Sequence, residues 1–196
     1  MIIEKLSITR TGTLTIRGVR FEPDDSQKFA QLFFSWLEYK NSGAFVNQRA
    51  NIPEGLTEGL VAKDIPHIYR KQGDNYSNPD REPTKFDCYD KLNDKIVEVK
   101  ACSVPNDLTS WSPKPYFDLF YFFDFSSLDG KYKIYEISIN SDEIMDIKVN
   151  STQTFREVVS RPNPPRPRFS VFDTFINPKF KCSGYPVVED DLNNYL

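Results

Sequence analysis

The hydrophobic pattern in the first third of the chain predicts a hairpin followed by two helices. Residues 2–20 alternate apolar and polar side chains on both sides of a Thr-Gly pair at 11–12, which is typical of two antiparallel strands joined by a turn. Aromatic and leucine residues at helical spacing follow an Asp-Asp-Ser capping segment at 24–26, so we expect a helix that ends near 41–43. Residues 51–62 predict a loop that enters a second helix.

Shorter apolar runs in the middle of the chain predict strands. A polar segment at 70–84 contains glycine and proline and is expected to be a loop. Strands are expected at 85–90, 95–102, 117–125 and 131–139. Asp129-Gly130 favours a hairpin turn between the last two.

The C-terminal part combines a proline-rich segment with one more apolar run. Residues 160–168 contain four prolines, which exclude a regular helix or a central strand there. Residues 169–176 predict a last strand, and the tail at 182–196 is expected to be a solvated chain end.

Composition and charge narrow the class of protein. A chain of 196 residues with 39% hydrophobic residues suits a single domain with one sizeable core. The sequence shows no transmembrane run and no signal peptide, so we expect a cytoplasmic protein that does not bind membranes. Cys88, Cys102 and Cys182 lack the spacing of a metal site and are expected to be reduced thiols.

The charge and the histidine content exclude several functions. A net charge of -3 argues against a non-specific nucleic-acid coat, which would be strongly basic. With His67 as its one histidine, the chain cannot build a zinc site from several histidines or the site of an HNH nuclease. The sequence also lacks the glycine-rich loops that bind nucleotide phosphates.

The candidate chemistry lies in residues 85–102, which predict a hairpin whose turn is 91–94. This register places Asp87 opposite Glu98, and alternation brings Lys100 to the same face. The apolar face is expected to consist of Phe86, Cys88, Val97 and Val99.

Two carboxylates directly opposite each other destabilise a sheet, and a divalent cation between them removes that repulsion. Mg²⁺ prefers one or two carboxylates together with water and phosphate oxygens, so Asp87 and Glu98 predict a magnesium site. Lys100 can stabilise charge on a phosphate or position the attacking water. The alternative for this pattern is a solvent-facing hairpin without catalytic function.

The spacing Asp87-x10-Glu98-Val99-Lys100 resembles the motif of the PD-(D/E)XK nucleases, with Phe86 where the proline that names the motif would stand. The resemblance implies an α/β fold with a PD-(D/E)XK restriction-endonuclease-like core, that is, a central mixed sheet flanked by helices. Residues 52–58 resemble the helix that precedes the catalytic hairpin in type II restriction endonucleases. This likeness implies that Glu58 approaches the metal, with Glu54 as the second choice.

Two further segments, Lys148–Arg156 and Arg166–Ser170, resemble small type II restriction enzymes. The likeness spans about residues 50–175 and points to a group that cleaves the interrupted palindrome GCNGC. It implies Mg²⁺-dependent hydrolysis of double-stranded DNA that leaves 5′-phosphate and 3′-hydroxyl ends. A cognate DNA methyltransferase is then the expected functional partner, and a homodimer is expected because protein symmetry would match a palindrome.

A basic region predicts where DNA binds. Residues 148–181 contain seven basic and two acidic residues, a local net charge of +5 in an acidic protein. Arginine can bind guanine in the major groove, Asn and Gln can bind adenine, and lysine can contact phosphate. The candidate DNA-binding residues are Lys114, Asn150, Gln153, Arg156, Arg161, Arg166 and Arg168. The alternative for this region is a solvated basic loop.

These observations favour a type II restriction endonuclease. Two other functions stay open at this point. One is a PD-(D/E)XK nuclease of DNA repair or junction processing, which would cut by structure and not by sequence. The other is a non-catalytic DNA-binding protein.

Overall fold

An eight-stranded mixed sheet forms the centre of the protein. The computed structural model describes residues 1–8, 14–42, 51–72, 86–104, 107–177 and 184–196. The strands are β1 (Ile2–Ile8), β2 (Leu14–Arg20), β3 (Ile68–Gln72), β4 (Cys88–Asp90), β5 (Lys95–Cys102), β6 (Leu108–Ser110), β7 (Leu119–Asp124), β8 (Lys131–Ile137), β9 (Arg168–Ser170) and β10 (Gly184–Asp191). The helices are α1 (Ser26–Asn41), α2 (Glu54–Asp64) and α3 (Phe155–Val159).

The strand order in the sheet is β1-β2-β3-β4-β5-β7-β8-β10. Neighbours are antiparallel, except that β5 and β7 are parallel. The two strands left out of this sheet, β6 and β9, pair with each other in what we call the β6–β9 ribbon. A mixed sheet with helices therefore agrees with the α/β prediction.

Helices cover the two faces of the sheet unequally. Apolar residues of α1 and α2 pack in one cluster with Cys88, Val97 and Val99. Gly59 allows a close approach of the two helices, because a Cβ there would lie 2.4 Å from the Phe29 ring. The opposite face is covered by the β6–β9 ribbon and by the segment that contains the short helix α3. The predicted mixed sheet is confirmed, but helices cover mainly one of its faces, and the second face carries only the five-residue helix α3.

The N-terminal predictions are confirmed within the described residues. β1 and β2 pair from Ile2 opposite Arg20 to Ile8 opposite Leu14, while the predicted turn at 11–12 lies outside the described residues. α1 begins at Ser26 after a 3-10 turn and ends at Asn41, next to the expected Asn-Ser-Gly segment. α2 begins at Glu54, inside the predicted second helix.

The central strands lie where the sequence predicts them, with shorter ends. The predicted runs 95–102 and 131–139 correspond to β5 and β8, and the run 117–125 to β7. The predicted strand at 85–90 is reduced to Cys88–Asp90.

Two of the predicted loop and tail segments are strands. The start of the predicted loop at 70–84 belongs to β3, which is hydrogen-bonded to β2 and β4, and residues 73–84 lie outside the described range. The tail is not a solvated end, since β10 pairs with β8 and Leu192 is fully buried. Its acidic residues are compensated: Lys133 donates to Glu189 at 2.9 Å, and Tyr132 and Tyr195 donate to Asp190.

The predicted strand at 169–176 is also wrong in its second half. β9 ends at Ser170, and a π-helical turn follows at Phe172–Ile176. Two hydrogen bonds to Ser170 stabilise this turn: the Asp173 N–H donates to the Ser170 hydroxyl at 3.1 Å, and the Thr174 hydroxyl donates to the Ser170 carbonyl at 2.7 Å. Such local side-chain bonds compete with strand pairing.

Candidate active site

The hairpin formed by β4 and β5 has the register that the sequence predicts. Cys88 lies opposite Val97, and Asp90 lies opposite Lys95. The turn at 91–94 is held by the buried Asp90 carboxylate, which accepts the backbone N–H groups of Leu92 and Asn93 at 2.9 and 3.0 Å. We call this hairpin, together with Asp87, the carboxylate hairpin.

Asp87 is fixed at the entrance of β4. Its Oδ2 atom accepts the backbone N–H of Val99 at 2.8 Å, and its backbone carbonyl accepts the N–H of Lys71 at 3.0 Å. These bonds hold the carboxylate beside Glu98. The chain bends at Asp87, and Phe86 packs in the opposite core cluster from Cys88. The prediction that Phe86 shares the apolar face of Cys88, Val97 and Val99 is therefore wrong.

The two carboxylates interact strongly. Burial raises the pKa of Asp87, and the negative charge of Glu98 raises it further, to about 7. Lys100 and the Val99 N–H oppose this shift but do not cancel it. The two carboxylates therefore share a site in which burial and mutual repulsion disfavour the charged form of Asp87.

Lys100 faces the same site. Its ammonium group forms an ion pair with Glu98, and both side chains are largely buried. The Lys100 Nζ atom also lies 5.5 Å from the ring centroid of Trp111, within the range of a cation–π interaction. The structure thus brings together Asp87, Glu98 and Lys100, as predicted.

Glu58 reaches this site from α2. Burial raises the pKa of Glu58 above its ordinary value, although Arg70 opposes this shift. The negative charges of Glu54 and Glu98 raise the pKa further. Arg70 Nε donates to Glu58 Oε2 at 2.7 Å. Glu54, the second choice, is exposed in the first turn of the same helix.

Arg70 is a residue that the sequence analysis missed. Arg70 lies on β3, at the start of the polar segment for which the sequence predicts a loop. Its partner Glu58 lies twelve residues earlier in the chain, on α2. The sequence contains no local signal for this pair. Only the packing of α2 over the sheet brings the two side chains together.

The donor set fits Mg²⁺. Among the described residues there is no group of three or more His, Cys, Asp or Glu side chains arranged to hold a metal. Two adjacent carboxylates are what Mg²⁺ requires from a protein when phosphate and water complete its shell. Burial and the charge of Glu98 raise the pKa of Asp87, and a cation between the two carboxylates would offset that repulsion.

The predicted DNA-binding residues separate into exposed and internally bonded groups. Lys114, Arg161, Arg166 and Arg168 are exposed. Arg156 is exposed but forms an ion pair with Asp146 at 3.0 Å. The Asn150 side chain accepts the backbone N–H groups of Thr152 and Gln153 and donates to Gln153 Oε1 at 3.3 Å.

Asn150 and Gln153, which are hydrogen-bonded within the protein, have a structural role in the absence of DNA. Asn150 and Gln153 shape the turn between Lys148 and Thr154, which form an isolated β-bridge. Lys179 and Lys181, also part of the basic region, lie outside the described residues.

Comparison with known proteins shows the family of this chain. The sequence model of the Bsp6I restriction endonuclease family matches residues 21–178. The chain belongs to this family. The type II restriction enzyme Bsp6I of Bacillus sp. (strain RFL6) is 30% identical over 164 residues, which cover 81% of this chain and 84% of that protein. No solved structure matches.

Membership in the Bsp6I family confirms the resemblance to type II restriction endonucleases. It identifies the chain as an enzyme, a site-specific deoxyribonuclease. The alternative of a non-catalytic DNA-binding protein is thereby wrong. No helix in the part of the chain that the structure describes is long and apolar enough to cross a membrane.

Proposed function

We propose that this member of the Bsp6I family is a Mg²⁺-dependent type II restriction endonuclease with a PD-(D/E)XK core. Its reaction is the hydrolysis of both strands of double-stranded DNA at a short palindrome, leaving 5′-phosphate and 3′-hydroxyl ends. The resemblance described above favours GCNGC as that palindrome. The observation that supports the proposal is the carboxylate hairpin, where Asp87, Glu98 and Lys100 converge in a largely buried site.

Each residue of the site has a distinct task in this proposal. Asp87 and Glu98 would hold the cation, which would supply Lewis-acid stabilisation of the negative charge on the phosphate. Lys100 contributes positive charge beside the scissile phosphate and orients the attacking water. Glu58, held by Arg70, supports the site from α2.

The DNA-binding part of the proposal rests on the exposed basic residues. Arg168 is the first residue of β9, and Arg166 lies two residues before it. Arg161 and Lys114 are exposed as well. Because these side chains are exposed, they can reach phosphates or base edges. Arg156, Asn150 and Gln153 would have to exchange an internal partner for DNA, which lowers the net gain of each contact.

The first test is a digestion of sequenced phage DNA. The protein is expected to yield a discrete ladder with Mg²⁺ and no cleavage with chelator, and end sequencing should return one palindromic site. Asp87→Ala, Glu98→Ala and Lys100→Ala should each abolish cleavage and stay folded by circular dichroism. Each change removes either a cation ligand or the positive charge at the site, so losses of at least about 100-fold are expected.

Glu189→Gln is the matched control, because Glu189 is an exposed carboxylate that pairs with Lys133 on the edge of the sheet. It should cleave like the unaltered enzyme. Near-normal cleavage by any of the three site variants removes that residue from the proposed machinery. A smear without discrete fragments would instead indicate cleavage without sequence specificity and would contradict the proposal.

A further inference from the structure

Trp111 is a buried aromatic residue directly after β6, at the boundary between the β6–β9 ribbon and the carboxylate hairpin. Its side chain is fully buried. It packs on Phe117 and on Phe120 of β7. Its indole N–H has no hydrogen-bond partner among the described residues, so packing alone sets the position of the ring.

One face of the Trp111 ring lies against Lys100 of the candidate active site. The Lys100 Nζ atom lies 5.5 Å from the centroid of Trp111, while its other neighbour is the Glu98 carboxylate. Lysine has a flexible stem and a compact charge, so its ammonium group keeps a defined place only if its neighbours impose one. Tryptophan is the best aromatic partner for such a cation.

The ring is also tied to the strand that bears the arginines. Trp111 stacks on Phe169 of β9, with centroids 5.4 Å apart and planes inclined by 8°. The Trp111 N–H of the backbone donates to the Pro167 carbonyl at 3.0 Å. In the ribbon register, Arg168 lies opposite Ser110, the residue before Trp111.

These contacts form a continuous path from the DNA-binding side to the site. Arg168 lies between Pro167 and Phe169 in the chain, and both of these neighbours contact Trp111. The ring in turn bears on Lys100. Close-packed interiors transmit displacements because they have little free volume.

We propose that Trp111 is a positioning residue, which sets the place of the Lys100 ammonium group and couples it to the arginine-bearing strand of the β6–β9 ribbon. The inference rests on the proposed function, in which Lys100 takes part in cleavage. Its consequence is that binding of DNA by Arg166 and Arg168 adjusts the cleavage site. Trp111 itself does not contact the substrate.

The test compares Trp111→Leu and Trp111→Phe with Phe175→Leu as a matched control. Phe175 is buried in the same cluster and contacts Phe169 and Phe120, whereas the cation–π contact of Lys100 among the described residues is with Trp111. The substrate is a duplex with the site mapped by the digestion. Single-turnover cleavage is measured with Mg²⁺ at saturating enzyme, and affinity is measured without Mg²⁺.

Trp111→Leu should lower the single-turnover rate about tenfold or more, the range of a desolvated cation–π contact, with affinity changed less than about threefold. Trp111→Phe keeps an aromatic face and should recover much of the rate. Phe175→Leu should lose stability but keep its rate. Equal rate losses in Trp111→Leu and Phe175→Leu would show that the ring has only a general packing role and would overturn the inference.

A spectroscopic measurement tests the coupling without reference to activity. The chain has two tryptophans, so Trp36→Phe leaves Trp111 as the sole tryptophan reporter. In this background, Lys100→Met and the addition of duplex should each shift the Trp111 emission, and Arg168→Ala should reduce the shift caused by duplex. An emission that responds to neither change contradicts the coupling, even if Trp111→Leu fails to fold.

Lys100→Ala separates this inference from the proposed function. If Lys100→Ala cleaves at the normal rate, Lys100 does not have the role that the proposed function gives it. The positioning of Lys100 by Trp111 would then have no effect on cleavage. If Lys100→Ala is inactive and Trp111→Leu cleaves normally, the proposed function stands and the inference about Trp111 fails.

Discussion

At the scale of single residues, Asp87 is held in place by a hydrogen bond while its surroundings disfavour its negative charge. Its carboxyl group is held by the Val99 N–H, which favours the charged form, but burial and Glu98 together raise its pKa to about 7. Under the proposed function, a carboxylate that is held in place but poorly compensated electrostatically is suited to bind a cation. The same balance makes the stability of the metal-free protein depend on pH.

Asp87→Asn is therefore expected to stabilise the metal-free protein at high pH. The folded-state pKa of Asp87 lies above that of an unfolded aspartate, near 4. Its contribution to stability is thus complete below pH 4 and is lost as the pH rises through about 7. At pH 8 the asparagine variant should exceed the unaltered protein by roughly 1–3 kcal/mol in the free energy of unfolding, and the two should converge near pH 4.

The measurement is urea denaturation across pH 4–8 in chelator. Asparagine keeps an oxygen that can accept the Val99 N–H, so the comparison isolates the charge. Adding Mg²⁺ at pH 8 should stabilise the unaltered protein and have little effect on Asp87→Asn. A difference between the two proteins that does not change with pH would contradict this account of Asp87.

At the scale of secondary-structure elements, the β6–β9 ribbon gives the arginines a rigid support. Arg168 begins β9, Pro167 is buried, and Arg166 precedes it as an exposed residue. In an extended chain, residues two apart lie on the same side, so Arg166 and Arg168 share the side opposite to Pro167. The segment around Ser110 and the arginine-bearing strand, far apart in sequence, thus form one surface.

Alanine substitutions at Arg166 and Arg168 are expected to distinguish base contacts from phosphate contacts. Loss of a bidentate guanine contact should cost about 1–3 kcal/mol and relax sequence choice at one position. Loss of a phosphate contact should weaken binding to all sequences and reduce the salt dependence by about one unit. Affinities for the mapped site and a scrambled duplex, measured over several salt concentrations, separate the two results.

Arg156→Ala provides the comparison, because the Arg156 guanidinium is paired with Asp146 in the free protein. It should affect binding less than either ribbon arginine. If Arg166→Ala and Arg168→Ala both leave affinity, salt slope and specificity unchanged, the ribbon arginines are solvated surface residues.

At the scale of the whole molecule, the proposed function requires one carboxylate hairpin per chain to serve the cleavage of two DNA strands. The described residues contain one such hairpin in each chain, built from β4 and β5. A twofold dimer would place one hairpin on each strand of a palindrome, because the symmetry of the protein then matches that of the DNA. We therefore predict a homodimer on its cognate site.

Sedimentation velocity with and without the mapped duplex tests this prediction. The complex should contain two chains per duplex. Mixed preparations with Glu98→Ala should accumulate nicked DNA, because a heterodimer can then cut only one strand. A single chain on the duplex, together with complete double-strand cleavage, would rule out the dimer.

The sequence by itself determined the parts of this protein that depend on neighbouring residues. The alternation of residues 95–102 and the four-residue turn before them were sufficient to place Asp87 beside Glu98 and Lys100. Strand alternation and turn geometry act over a few residues, so their pattern is visible in the chain. The exposed basic residues near β9 were recognisable from charge alone.

Tertiary structure alone decided the contacts between remote segments. The pairing of Arg70 with Glu58, the stacking of Trp111 on Phe169 and the addition of β10 to the sheet join residues that share no local pattern. Phe86 left its predicted face because the chain bends where Asp87 binds Val99. Such contacts form only when the whole core is buried at once, since the stability of each depends on surfaces that distant parts of the chain supply.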